Sequence, residues 1–252
     1  MLTRNQLRKL HGGGLPLHIL EQDYVQALYL KELYLATENL VFKGGTYLRH
    51  AYGLDRFSED LDFTRLGASP IPMFEAAASE LSSYGIEANI ERIDEGDTSL
   101  SGILRYRGPL YDGTERSMGA IHIEVSIRED VFLKPLWTRL FFEYPETRAV
   151  NVLGLRKEEA FAEKLRALST RIRGRDLYDV WFLMKQEVDV QKSLFERKMS
   201  VLNQEPVVNV RISEQEWRRD LRVLVVNPPE YEKVLNEVVS QLSMEGFEIL
   251  ID

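Results

Sequence analysis

The apolar positions change rhythm several times along the chain, and each rhythm predicts an element. From Ile19 to Asn39 they recur at three-to-five spacings (Ile19, Tyr24, Leu28, Leu33, Leu35), with Lys31 and Glu32 on the polar side, which predicts a helix. "LVFKGG" is a short apolar strand running into a glycine turn. "TYLRHAYG" is a short helix with Thr46 as candidate N-cap and Gly53 as its stop. "SEDLDFT" is the next strand, and Ile71 to Tyr84 a helix with Pro72 in its first turn. "IEANIERI" alternates as a strand should, and "DEGDTS" makes a turn. "LSGILRYRGPL" and "AIHIEVSIRED" are two more strands, paired as a hairpin across the turn-rich "YDGTERSMG". The strands number about five, with helices mixed among them, and end near Pro145. After Val150 the pattern is helical: "GLRKEEAFAEKLRALSTR", "GRDLYDVWFLMKQ", Ser213 to Val226, and Tyr231 to Met244 behind Pro228-Pro229. A boundary within residues 146–154 therefore separates a mixed α/β domain, 1–150, from a helical domain, 151–252. Residues 1–16 are a polar entry segment ending in "HGGGLP"; no strand precedes these glycines and no Gly-Lys-Ser/Thr follows, so they predict a turn and not a phosphate loop.

Composition narrows the function classes. A chain of 252 residues, 44% hydrophobic, has enough apolar surface for a sizeable core. The net charge of −8 argues against a protein that coats duplex DNA, which needs a broad basic face. With no cysteine, disulfides and thiolate metal sites are excluded. No apolar run approaches the ~20 residues of a membrane span, and the N-terminus lacks a signal-like core, so the expected localisation is cytoplasmic, with no membrane partner.

The candidate chemistry is concentrated in "KGGTYLRHAYGLDRFSEDLDF", residues 43–63. On a strand, Asp60 and Asp62 share a face with Cα atoms ~6.6 Å apart, while Leu61 and Phe63 face the core. Two carboxylates on one face repel unless a cation lies between them, and a hard divalent ion with oxygen ligands fits. Glu124, between His122 and Ser126 on the polar face of "IHIEVSI", is either a third ligand or part of a solvated outer face; Asp130 is its rival. Gly44 and Gly45 follow an apolar strand and enter a helix. They expose backbone amides at a helix N-terminus, an anion site to which Thr46 adds a hydroxyl and Lys43 a charge, unless the turn serves only the chain's path. Glycine amides for the phosphates and carboxylates for Mg²⁺ are the parts needed to hold a metal-bound triphosphate. Further on, "KLRALSTRIRGR" carries Lys164, Arg166, Arg171, Arg173 and Arg175 without an acid. It reads as a positive island suited to a triphosphate or an RNA backbone, or as an ordinary solvated helix face.

The stretch "FKGGTYLRHAYGLDRFSEDLDF" resembles motif I of the polymerase-β-type nucleotidyltransferases, and more narrowly the AbiEii/AbiGii branch, the toxin half of type IV abortive-infection toxin–antitoxin pairs. Phe42, Lys43, Gly44, Gly45, Thr46, Leu48, Arg56, Phe57, Ser58, Asp60, Leu61, Asp62 and Phe63 carry the resemblance, and the lead-in "DYVQALYLKELY" is similar too. It is specific over residues 19–64, fair through 185 and weak over the last sixty or so. Downstream, Lys164 in "AFAEKLRAL" and Arg175-Asp176-Leu177-Tyr178-Asp179 match the family's lysine and its arginine-aspartate segment. The resemblance implies an α+β fold: a polymerase-β-like nucleotidyltransferase core, its mixed sheet flanked by helices, followed by a helical C-terminal region. It implies an NTP substrate, a Mg²⁺ (or Mn²⁺) cofactor, transfer of NMP to a hydroxyl of a nucleic-acid acceptor (the 3′ end of tRNA), growth arrest, and a cognate antitoxin. Asp60, Asp62 and Glu124 would bind the metal, with Glu124 helping to activate the attacking hydroxyl. Gly44, Gly45, Thr46 and Lys164 would hold the triphosphate, joined by Lys43, Arg56, Ser58 and Asp176. Arg166, Arg171 and Arg173 would meet the acceptor's backbone. Asp176 would orient Lys164 or an arginine, Asp179 would pair locally, and Ser58 is also a candidate modification site. The chain departs from the family in offering a glutamate where the third acid is an aspartate. Beside this reading stand a nucleotide-binding regulatory module, a transferase acting on a protein or small molecule, and a degenerate member without activity.

Overall fold

The computed structural model of the chain describes residues 1–10, 15–127 and 131–251; Gly12 to Gly14 and Asp130 lie outside the described residues. Two compact units form, Met1–Val131 with Pro135–Gly154, and Phe132–Lys134 with Leu155–Asp252.

The first unit is built on a mixed seven-stranded sheet. Its elements are α1 (Arg4–Leu10), α2 (Leu17–Ala36), β1 (Leu40–Lys43), α3 (Gly44–Tyr52), β2 (Leu61–Arg65), α4 (Ile71–Glu80), β3 (Glu87–Glu95), β4 (Ser99–Arg107), β5 (Gly119–Ser126), β6 (Leu136–Tyr144) and β7 (Thr147–Gly154). The strand order is β3-β4-β5-β2-β1-β7-β6. β1 is an interior strand, and all four residues of "LVFK" are buried, as a strand covered on both faces requires. It runs antiparallel to β2 and parallel to β7, and β2 runs parallel to β5. Phe42 and Phe63, opposed across β1 and β2, stack with ring centroids 5.1 Å apart, a contact of about 0.5–1.5 kcal/mol beyond area burial.

Several sequence expectations shift for physical reasons. α2 is buried nearly all round, including Glu21, Asp23 and Gln26, whereas Leu35, assigned to its apolar stripe, is 74% exposed. α3 begins at Gly44, so Thr46 lies inside its first turn and is not the N-cap; Gly53 ends the helix as expected, with φ +76°. The helix from Ile71 stops at Glu80, and Leu81–Tyr84 tightens into a 3₁₀ turn closed by Gly85. The β6–β7 hairpin, joined through Pro145 and Glu146, escaped the pattern reading. Its inward Leu140, Phe142 and Tyr144 alternate with Trp137 and Phe141, which are 54% and 67% exposed, so large apolar side chains on both faces hide the two-residue period.

The second unit holds α5 (Lys157–Thr170), α6 (Gly174–Lys185), α7 (Lys192–Ser200), β8 (Val208–Val210), α8 (Glu214–Leu221), α9 (Tyr231–Met244) and β9 (Ile249–Ile251). Four of its helices follow the sequence pattern, and α8 starts behind a capping box of Ser213 and Glu216. α7 reads as polar yet is partly core. Its Lys198 is buried and meets Glu159 and Glu163 of α5 at 2.8 and 2.9 Å. The short parallel pair β8–β9 joins segments about forty residues apart, beyond the reach of any local pattern. No helix of the described residues is long and apolar enough to cross a membrane.

Candidate active site

The site is assembled around the β1–α3 turn. At Gly44 the backbone takes φ +75°, a conformation that disfavours any side chain, and a Cβ there would overlap the Asp62 carboxylate. At Gly45 a Cβ would stand 2.6 Å from Arg56 Nη2 and 2.7 Å from Ser58 Oγ. The two glycines therefore make room for this chain's own Asp62, Arg56 and Ser58. Lys43, the N-cap residue of α3, makes no side-chain cap, and first-turn amides at a helix N-terminus have an affinity for an anion. Lys43, register partner of Asp62, is nearly buried. Arg56 is buried, with Nη1 donating to Phe57 O at 2.8 Å, and Ser58 is also buried. The Thr46 hydroxyl donates to the carbonyl of Asp60 at 2.6 Å.

The acids come from adjacent strands. β2 starts at Leu61, so Asp60 precedes the ladder and Asp62 lies within it. In the parallel β2–β5 register Asp62 stands beside Glu124, and strand neighbours in register point to the same face. Glu124 is held above the ordinary carboxylate range by partial burial, then by the negative charges of Asp62 and Asp60, with His122 offsetting part of the effect. Glu124 thus stands beside Asp62 in the ladder, while its rival Asp130 lies outside the described residues. Among the described residues no three acids or histidines are gathered tightly enough around one point to hold an ion. The donor set nonetheless suits Mg²⁺ or Mn²⁺: all its ligand atoms are carboxylate oxygens, and their mutual repulsion is what a divalent cation relieves.

The segment entering β2 is held from three sides. Gln26 Nε2 donates to Ser58 O at 3.1 Å, Gln22 Nε2 donates to Glu59 O at 2.9 Å and to Ala120 O at 3.0 Å, and Thr46 takes Asp60 O.

In the second unit, Lys164 is buried on α5. Its Nζ lies 2.7 Å from Asp179 Oδ2 and 3.8 Å from Asp176 Oδ1, and both aspartates are fully buried on α6. Arg171 grips Asp176 through two hydrogen bonds, at 2.6 and 2.8 Å. The basic run is therefore part of a local network: Lys164 and Arg171 both engage these aspartates, whereas Arg173 is exposed.

The family described as "Nucleotidyl transferase AbiEii toxin, Type IV TA system" matches residues 28–251. The chain belongs to this AbiEii family. It is a nucleotidyltransferase toxin of a toxin–antitoxin system. Its fold is similar to that of MenT4, a nucleotidyltransferase toxin from Mycobacterium tuberculosis H37Rv, with a TM-score of 0.73 at 22% identity, over 96% of this chain and 89% of that one. JHP933 from Helicobacter pylori aligns with a TM-score of 0.55 at 21% identity, over 88% of this chain and 90% of that one. A comparison with curated proteins finds no match. The AbiEii match extends through the last sixty residues, where the motif resemblance is weak. Motif reading of this AbiEii chain passes over Gln22 and Gln26. Their one signal is a pair of amides one helical turn apart in the lead-in helix.

Proposed function

We propose that this AbiEii-family enzyme transfers an NMP from an NTP to a hydroxyl of a nucleic-acid acceptor, the 3′ end of tRNA, in a Mg²⁺- or Mn²⁺-dependent reaction in the cytoplasm. The observation that carries the reading is the in-register pair Asp62–Glu124 on parallel strands, with Asp60 close enough to raise the Glu124 pKa and the start of α3 beside Asp62. Asp60, Asp62 and Glu124 are the residues that would hold the cation, which when bound would offset triphosphate charge and favour the ionised acceptor hydroxyl. The amides of Gly44 and Gly45 bind the phosphates, with Lys43, Arg56 and Ser58 beside them. The acceptor oxygen forms a bond to the α-phosphorus as the bond to pyrophosphate breaks. Glu124 would help activate the acceptor hydroxyl as one of the carboxylates around the cation, and the hydroxyl proton leaves to water. The family motif assigns Lys164 to the triphosphate and Asp176 to orienting the basic groups around it, in keeping with its grip on Arg171. The tRNA assignment is supported by the resemblance and by the basic run that includes exposed Arg173. A cognate antitoxin would relieve the growth arrest.

The test is incubation of the pure protein with total tRNA, Mg²⁺ and each labelled NTP in turn. Label is expected on tRNA from at least one NTP, and Asp60→Asn and Asp62→Asn should each abolish both labelling and growth arrest. Undiminished transfer in those variants would overturn the assignment of the site. Transfer to protein alone would overturn the acceptor.

A further inference from the structure

We propose that Gln22 and Gln26 of α2 are positioning residues that, together with Thr46, aim Asp60 at the metal. The inference rests on the nucleotidyltransferase reading of the acidic cluster. Three consecutive carbonyls, of Ser58, Glu59 and Asp60, are each bound by a side chain from a helix: Gln26, Gln22 and Thr46. These residues lie just outside the sheet, since the β2 ladder begins at Leu61. Asp62 takes its direction from backbone pairing on both sides, with Lys43 and Glu124 as register partners. Asp60 precedes the ladder, and the bonds to its own carbonyl and the two before it hold the backbone that carries it.

Gln22 also joins the two acid-bearing segments. Its amide nitrogen bonds both Glu59 O, one residue before Asp60, and Ala120 O, four residues before Glu124. One side chain thus ties the entries of β2 and β5 together upstream of their parallel ladder. Gln26 is fully buried, and its Oε1 has no hydrogen-bond partner among the described residues. An unmatched buried amide oxygen is destabilising, so a position serving only the core would be better filled by Met or Leu. The use of glutamine there lies in the N–H that reaches Ser58 O. The arrangement is a supporting shell: groups that touch neither metal nor substrate but fix the rotamer and backbone of a ligand, whose loss commonly weakens metal affinity by about 10-fold or more.

The test uses the full chain with Mn²⁺ alone, read by electron paramagnetic resonance of the free ion, with no turnover required. Gln22→Met/Gln26→Met should raise the Mn²⁺ dissociation constant by about 10-fold. In the transfer assay kcat should fall while the KM for NTP stays within about twofold, because the phosphate contacts at Gly44 and Gly45 are untouched. Gln26→Met exchanges one orphaned oxygen for another at Ser58, and Gln22→Met uncovers the part-buried carbonyls of Glu59 and Ala120, so thermal stability should fall only modestly; each single variant serves if the double one unfolds. Asp60→Asn is the reference. If Asp60→Asn weakens Mn²⁺ binding and the glutamine variants do not, the positioning role is overturned. If Asp60→Asn also leaves Mn²⁺ binding unchanged, the acidic cluster is not the metal site and the parent reading fails instead.

Discussion

Glu124→Gln should stabilise the metal-free protein and remove its response to metal. The substitution keeps the shape of the side chain and deletes its charge. In the parallel register Glu124 stands beside Asp62 on the next strand, which places the two carboxylates roughly 5 Å apart. Coulomb's law then gives ~0.8 kcal/mol of repulsion at the dielectric of water and ~3 kcal/mol at an effective dielectric of 20. Glu124 is exposed, so solvent screening favours the lower end, and about 1 kcal/mol is the expected gain. For a protein of this size that raises Tm by about 2–4 °C. The sign follows from linkage. The folded-state pKa of Glu124 lies above its unfolded value, so between the two the folded chain binds more protons and wild-type stability falls as pH rises. The variant's advantage should therefore be full near pH 7.5 and vanish below pH ~4.3, where the glutamate is protonated in both states. The assay is a melting series in EDTA across pH, repeated with Mn²⁺. With the ion present the order should reverse, because in the proposed site only the wild type offers all three carboxylates. A variant that melts at or below wild type in EDTA at pH 7.5 would refute the reasoning, because Glu124 would then carry no repulsion for a cation to relieve.

Two further outcomes follow from the packing. Gly44→Ala should lose both stability, by about 2 kcal/mol or more, and Mn²⁺ binding, because it combines a strained φ with a Cβ inside the Asp62 carboxylate; urea unfolding alongside Mn²⁺ titration checks this, and wild-type values in both would sink it. Lys164→Met should cost about 3 kcal/mol by removing the ammonium paired with the buried Asp179, whereas Lys164→Met/Asp179→Asn should recover much of that stability and still fail in the transfer assay; recovery of transfer by the double variant would reduce Lys164 to a structural role.

What was legible in the sequence was whatever a local rule encodes. β1 showed itself as an unbroken apolar run, β5 as strict alternation through Ile121, Ile123 and Val125, and α9 as an apolar stripe; the Gly53 stop needed only its neighbours in the chain. The candidate site was legible because its glycines and aspartates occur in one short motif, and motif I was enough to point to the family. Elements whose sequence pattern is set by distant partners were not legible. The β6–β7 hairpin carries aromatic residues on its exposed face, α7 buries a lysine against acids from α5, and Leu35 is exposed although its spacing placed it inward.

The sequence by itself determined which residues carry charge, which backbone can turn at φ above zero, and hence that a carboxylate pair follows a glycine turn. Only the tertiary structure decided what those features face. It gave the space at Gly44 to Asp62 and the space at Gly45 to Arg56 and Ser58. It spent the Thr46 hydroxyl on the Asp60 carbonyl, and it set Glu124 beside Asp62 by pairing strands some sixty residues apart. The physical reason is that conformational preference and charge belong to single residues, whereas register and hydrogen-bond partnership belong to pairs, and pairs distant in the chain meet only when the sheet closes.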